Sequence, residues 1–529
     1  MGPEANIDSI RALERQIEEG KGDVIKLKRD RNSLLNISTR VPPETLGDIF
    51  AWCLVRGWRF EGLRNGSYNF LLVCHHWFEV ASHTPELWSF WGNTLGDWRK
   101  RHHRSGATPL DLVLGERKFD PDVFDESLQN AVRSHVMQDT VRQVHLSSDD
   151  PDTLVSIISA LTPGDGGGRN ENTESIALHT LGYPALDVSN FFTRSHLSRL
   201  RSLDFYGNIM ISSWGRLITR TTLLTSLSLD ISISSQSPPP TAAQLFSILT
   251  SNPNLQELLL TGAVLPNDTD TSTFKVQLRH LKTLALTGKS RHLFGLLRRL
   301  ILPDTLDDLH LAGTDLTVED ISGTLAPYMQ DYFRRDARFQ GRLGVCSSSS
   351  FGSISIWLGA ECTWNTLPVV DPPRVMLGAP ANLPPPNGLE RIFISLIALI
   401  PRERVVFFDV GVDMKPPEEV FFMMPNIETL HLSRALLSQG FLQPSPDGPH
   451  ADKKLLPSLR SLILEEVVFP NYNDWDPLTT YLAHQTSGGQ AISLEVINDL
   501  PHGCSEAVNR IRGLVKEFTY NQNPDDNDE

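Results

Sequence analysis

Leu224-Thr225-Ser226-Leu227-Ser228-Leu229, Leu255-Gln256-Glu257-Leu258-Leu259-Leu260 and Leu281-Lys282-Thr283-Leu284-Ala285-Leu286 spell the same phrase, L-x-x-L-x-L. Working outward, Leu200-Leu203-Phe205 and Leu306-Leu309-Leu311 repeat it on either side. Ile427-Leu430-Leu432 and Leu459-Leu462-Leu464 repeat it further on, and Val141-Val144-Leu146 and Thr173-Ile176-Leu178 are weaker copies. The end of each phrase alternates apolar with other residues, the period of a strand with one buried face. Between central residues the steps are 32, 32, 27, 24, 31, 26 and 25 from Leu112 to Leu309; Leu430, Leu462 and Leu494 then follow at intervals of 32.

A repeat in the twenties to low thirties with one short strand apiece is the mark of a leucine-rich solenoid. No single copy can bury its leucines, whereas a stack can. Segments of helical spacing, such as Ala242 to Leu249 and His292 to Leu300, would cover the convex side of a shared parallel sheet. A series of ordinary α/β units would explain the strands but not the recurring phrase. The expected array spans 107–518, ahead of a disordered acidic tail at 519–529. From Leu309 to Leu430 clean copies are missing; Ile354-Ile356-Leu358 and Val405-Phe407 supply irregular strands there. Pro372-Pro373 and Pro384-Pro385-Pro386 mark a long loop. The Gly164 to Gly168 run lacks phosphate-cradle spacing and reads as a link.

With 529 residues, 40% hydrophobic and 21% charged, the chain can form two or three folded units with a sizeable core. Its net charge of −15 speaks against nucleic acid or anionic membrane as a partner. Arg99 to Arg104 is a basic run that reads as a solvated loop. The five cysteines (Cys53, Cys74, Cys346, Cys362, Cys504) are odd in number and lack the spacing of a zinc or redox centre. Met1 to Ile10 has no apolar core for a secretory signal. The longest apolar stretch, Ile392 to Ile400, is far short of the ~20 residues of a spanning helix. The expectation is a protein of the cytoplasm or nucleus, without cofactor or metal. Residues 6–35 read as a helix with a heptad seam (Ile10, Ile17, Val24; Leu13, Leu27, Leu34) interrupted by Gly20 and Arg31. Both a dimerising coiled coil and a helix folded back on its own chain fit that pattern.

Residues 38–92 read as a small all-α unit. Pro42 and Pro43 start a helix whose first turn welcomes Glu44. Leu46, Ile49 and Phe50 make one apolar stripe on it. Leu72, Val73, Trp77 and Val80 make a second on the next helix, and Leu87-Trp88 closes the unit. So short a segment cannot bury this much apolar surface by itself, which predicts a partner.

The three phrases Val41-Pro42-Pro43-Glu44, Val73-Cys74-His75-His76-Trp77 and Leu87-Trp88, in this order, resemble the F-box. The N-terminal heptad helix and the irregular leucine repeats resemble a large fungal group of F-box proteins. The F-box match covers about a tenth of the chain. Val41 stands where the family usually has Leu, and Trp52 to Tyr68 is about nine residues longer than the family's usual connection. The resemblance implies binding of the Skp-type adaptor of SCF (cullin–RING) ubiquitin ligases, and through it a cullin. By position, Pro42, Pro43, Glu44, Leu46, Ile49 and Phe50 would form the first contact helix. Leu72, Val73, Cys74, Trp77, Leu87 and Trp88 would support or extend it.

In the repeats, residues between the leucines would face the open side. They include Asp204, Ser228, Glu257, Asp308, His310 and His431, a candidate surface for a protein target. No hydrolase, zincin or P-loop motif is present, and His75-His76 has no partner by spacing. The chain therefore reads as a non-catalytic substrate receptor. A scaffold that uses the adaptor without delivering targets for degradation is the alternative.

Overall fold

The computed structural model describes residues 11–17, 19, 26–28, 30–31, 41–61, 71, 73–91, 104–105, 108–114, 126–163, 170–212, 214–231, 240–262, 275–304, 306–340, 342–350, 353–360, 374–380, 386–411, 418–433, 455–466, 475–487, 489–497 and 505–521. Most of the expected coiled-coil segment, Leu72, the Gly164 to Gly168 run and Pro372-Pro373 lie outside these residues. The chain is mixed α/β with extended parallel sheet, and it divides into two compact units, Met1–Pro238 and Pro239–Glu529.

After helical stretches at residues 11–17 and 26–28, the described part of the expected N-terminal helix, the first unit carries three helices, α1 (Pro43–Glu61), α2 (His75–Ser82) and α3 (Pro85–Trp88). Its strands follow: β1 (Phe90–Trp91), β2 (Leu110–Leu114), β3 (Val141–Ser147), β4 (Ser175–Thr180), β5 (Ser202–Gly207) and β6 (Ser226–Ile231). Each pairs in parallel with the next. The copies of the phrase are these strands, and their leucines stand level: Val144, Ile176, Leu203 and Leu227 form one row, Leu146, Leu178, Phe205 and Leu229 the next. All eight are buried. At roughly 1.5–3 kcal/mol per buried side chain of this size, these rows decide which face of each strand turns inward.

Helices connect the strands. In Pro151–Leu161 Asp150 caps the N-terminus, accepting from the amides of Asp152 and Thr153, and Pro151 takes the first position, where no donor is lost. Leu154, Ile157, Ile158 and Leu161 then fall on the buried stripe. Arg142 of β3 forks onto the Asp111 carboxylate of β2, an ion pair that ties the two strands together.

The second unit carries β7 (Glu257–Gly262), β8 (Thr283–Gly288) and β9 (Asp308–Gly313), again parallel and with leucines in register. The expected helix after Ala242 runs Ala242–Ser251 behind a capping box of Thr241 and Gln244, and the one near His292 runs Ser290–Leu297. In the stretch without clean phrases, β10 (Leu343–Ser350), β11 (Ser353–Ala360) and β12 (Arg374–Pro380) pair antiparallel, β10 to β11 and β11 to β12. β12 continues the parallel ladder from β9, and β10 hands it on to β13 (Val405–Val410). Parallel pairing then resumes through β14 (Thr429–Ser433), β15 (Ser461–Glu465), β16 (Ser493–Ile497) and β17 (Glu517–Asn521).

Two expectations shift. Pro386 begins the helix Pro386–Ile397 rather than ending a loop. Residues 519–521 belong to β17, so the ordered sheet runs past the expected start of the tail.

Candidate functional site

Two surfaces hold the residues singled out in the sequence. The first lies on the helical unit. Pro43 opens α1 with Glu44 in its first turn, and the Leu46 amide donates to the Pro42 carbonyl at 3.0 Å. Leu46, Phe50, Val80, Ala81, Leu87 and Trp88 form the core of the unit, with Val41, Ala51, Leu71 and Trp77 packed against it. The Phe50 and Trp77 rings sit 5.0 Å apart. Trp88 donates from Nε1 to the Ala81 carbonyl at 2.7 Å, and the Arg104 guanidinium stacks on its ring at 4.4 Å. Arg104, the last residue of the basic run, is thus a packing partner rather than a solvated charge.

This core changes two of the assignments made by position. Leu46 and Phe50, expected on the contact helix, are buried within the unit and cannot present their side chains to a partner, while Leu87 and Trp88 are buried in the same core. The reason is geometric: residues 46 and 50 are one helical turn apart and point together at α2 and α3. Trp77 and Cys74 are half-buried, and Pro42, Pro43 and Glu44 are exposed at the start of α1. What stays open is a different set: Ile49 and Trp52 of α1, with Val73 and Phe78, are 42% to 58% exposed. Ile49 and Val73 were anticipated; Trp52 and Phe78 were not. Ile49 and Trp52 stand three apart on one helix face, a spacing that could have flagged the pair.

The second surface is the open face of the strands. Asp204 and Ser228 do come together, in register on β5 and β6. His179 of β4 lies 2.9 Å from the Asp204 carboxylate, and His145 of β3 approaches Ser175 at 2.9 Å. Burial pushes the Asp204 carboxyl up, but hydrogen bonds from His179 and Ser228 outweigh it and hold the group below its ordinary range. Asp230 is pushed the other way, by burial and by the charge of Asp204. Tyr206 stands between His179 and Asp230 in register, its ring edge-on to His179 at 5.8 Å. His145, His179, Tyr206 and Asp230 were not singled out in the sequence. Tyr206 and Asp230 lie two residues beyond Asp204 and Ser228, so strand alternation places them on that same face.

In the second unit Glu257 and Asp308 lie in one row, on either side of Thr283. His310 is half-buried, and that burial pulls its imidazole below the ordinary value. His431 needs correcting. It occupies the expected strand position but is buried, with Nδ1 3.0 Å from Asp409 and Nε2 3.3 Å from Glu465, so it braces three neighbouring strands instead of facing a target. A groove lined by Arg342, Arg404, Glu428, Arg460 and Lys516 also opens there. Glu428 engages Arg342 at 3.0 Å and Arg460 at 3.6 Å, while Arg404 donates to the carbonyl of Phe339 and the side-chain oxygen of Gln340. Glu428 is thus shared between two of its arginines, while Arg404 is held by neutral oxygens.

Among the described residues no three His, Cys, Asp or Glu side chains are placed to hold a metal ion, and no helix is long and apolar enough to cross a membrane. Cys53 and Cys74 form no disulfide among the described residues. No protein-family model matches the chain, and no curated protein matches its sequence.

Proposed function

We propose that this chain is the substrate receptor of an SCF-type ubiquitin ligase: an F-box made by α1 to α3 binds the Skp-type adaptor, and a leucine-rich solenoid holds a protein target. One observation carries the reading. A unit with a closed core still leaves Ile49, Trp52, Val73 and Phe78 between 42% and 58% exposed, and large apolar side chains left open on a folded unit are what a partner surface needs. Ile49 and Val73 fall within the segments that resemble the F-box; Trp52 and Phe78 lie just beyond them.

The mechanism is proximity, with no chemistry from this chain. Tethering a target beside a ubiquitin-charged enzyme raises the effective concentration of its lysines. Tethering works best when the two binding surfaces keep a fixed spacing. The junction favours that: only Ser89 separates α3 from β1, and the Ser89 carbonyl accepts from the Asp111 amide of β2 at 2.9 Å.

The test is assembly. The full chain is mixed with purified Skp-type adaptor and a cullin, and the mixture is resolved by size. Co-migration of all three is the expected result; a chain that elutes alone, folded by circular dichroism, overturns the proposal.

A further inference from the structure

We propose that the open face of the first unit, at the C-terminal ends of β4 to β6, docks an extended segment of the target bearing an arginine or lysine next to an apolar side chain. The inference rests on the receptor reading above and deepens it by naming the chemistry of what is received.

The surface begins as an apolar patch. Leu181, Tyr183 and Tyr206 are 42% to 81% exposed. The turn that carries Leu181 and Gly182 is held by its backbone. Asn208 is buried and donates from Nδ2 to the carbonyls of Leu181 and Gly182, at 3.2 Å and 3.1 Å. Gly182 is pressed against the chain before it: a Cβ there would lie 2.0 Å from the Asp149 carbonyl oxygen. Gly207 has φ +92, and a Cβ on it would reach the Leu181 side chain at 3.4 Å, which places Leu181 beside the strand that carries Tyr206. A turn whose backbone is fixed in this way need not be ordered when a guest lands on it.

Charge selects the guest. The open-face positions of β4 to β6 are Ser175, Ala177, His179, Ser202, Asp204, Tyr206, Ser226, Ser228 and Asp230. None is lysine or arginine. Asp204 is kept ionised, and Asp230, in register with Tyr206, has no hydrogen bond or ion pair among the described residues. Two carboxylates on adjacent strands therefore repel each other beside an exposed tyrosine ring. A guanidinium or ammonium group laid over Tyr206 would relieve that repulsion and gain a cation–π contact, while its methylene stem packs on the ring. Leu181 and Tyr183 offer room for the adjacent apolar side chain. An acidic segment or a phosphate backbone would be repelled at the same place.

The test uses the full chain and a random nonapeptide library displayed on phage. Peptides that carry arginine or lysine beside leucine or an aromatic residue are expected to be enriched. Their binding is expected to weaken with salt and to fall by about tenfold or more in Tyr206→Ala and in the double variant Asp204→Asn/Asp230→Asn. Tyr206 is exposed, so its loss reads binding rather than folding. No basic enrichment, or enriched peptides indifferent to both variants, overturns the inference. Adaptor capture by the same preparations separates the two proposals. Capture without basic selection sinks this inference alone, and selection without capture sinks the receptor reading alone.

Discussion

The indole of Trp91 meets the imidazole of His135 edge-on, ring centroids 5.2 Å apart and planes at 89°. Both are buried. His135 Nδ1 lies 2.8 Å from Thr140 Oγ1, and the Thr140 carbonyl accepts from the Leu110 amide at 2.7 Å. One line of contacts thus joins the strand that follows the helical unit to the helix Glu126–Met137 and on to β2. Trp91 is the pin of that junction.

Trp91→Ala is expected to cost about 3–5 kcal/mol, the range for truncating a buried aromatic side chain. Urea unfolding of the full chain checks the loss. Hydrogen exchange should show it concentrated in residues 85–114, with the strands of the second unit unchanged. Uniform loosening of both units would contradict the assignment of Trp91 as a local pin.

Residues 46 and 49 separate folding from binding. Leu46→Ala opens a cavity in the helical core and is expected to cost about 2–5 kcal/mol. Ile49→Ala, on the exposed side of α1, should stay within about 0.5 kcal/mol of the parent. Thermal unfolding followed by far-ultraviolet dichroism distinguishes them.

The carboxylates of the open face give opposite pH signatures. Asp204 is held below its unfolded value, so its contribution is present above that value and is lost as pH falls through the folded one. Asp204→Asn should therefore destabilise at neutral pH, with the deficit shrinking in acid. Asp230 is raised, so its ionised form penalises the fold above its folded pKa. Asp230→Asn should stabilise at neutral pH, and the gain should vanish below about pH 4, where the unfolded group is protonated too. Denaturant midpoints against pH read both signs.

The glycines divide by geometry. Gly207→Ala must accept φ +92 and a Cβ 1.9 Å from the Thr180 carbonyl oxygen, so the turn carrying Leu181 has to move. Gly215, in the helix Trp214–Arg220, has nothing within 4 Å of the added methyl, and Gly215→Ala should stabilise by up to about 1 kcal/mol. Melting temperatures should move in opposite directions.

Much of the sheet was legible because period-2 alternation with leucine at fixed places leaves one pairing register that buries every copy, as Leu203 and Leu227 do. Of the hairpin, the β11 strand was legible at Ile354-Ile356-Leu358, but β10 was not, because Ser347 to Ser350 carry no apolar alternation and their pairing is antiparallel. At the helical unit the right helices were visible but not which of their faces is shared. Leu46 and Ile49 are equally apolar, and only the packing of α2 and α3 against α1 decides which is covered. His431 shows the same limit in the sheet. Its alternation was readable, but the carboxylates that enclose it come from β13 and β15, more than twenty residues away on either side.

The most direct measurement is a calorimetric titration of purified Skp-type adaptor into the full chain and into an Ile49→Glu/Trp52→Glu variant. The receptor account expects saturable binding by the parent chain. It expects a loss of at least about a hundredfold in the variant, whose thermal unfolding should match the parent's. No heat of binding with the folded parent chain, or equal affinity for both proteins, would contradict it.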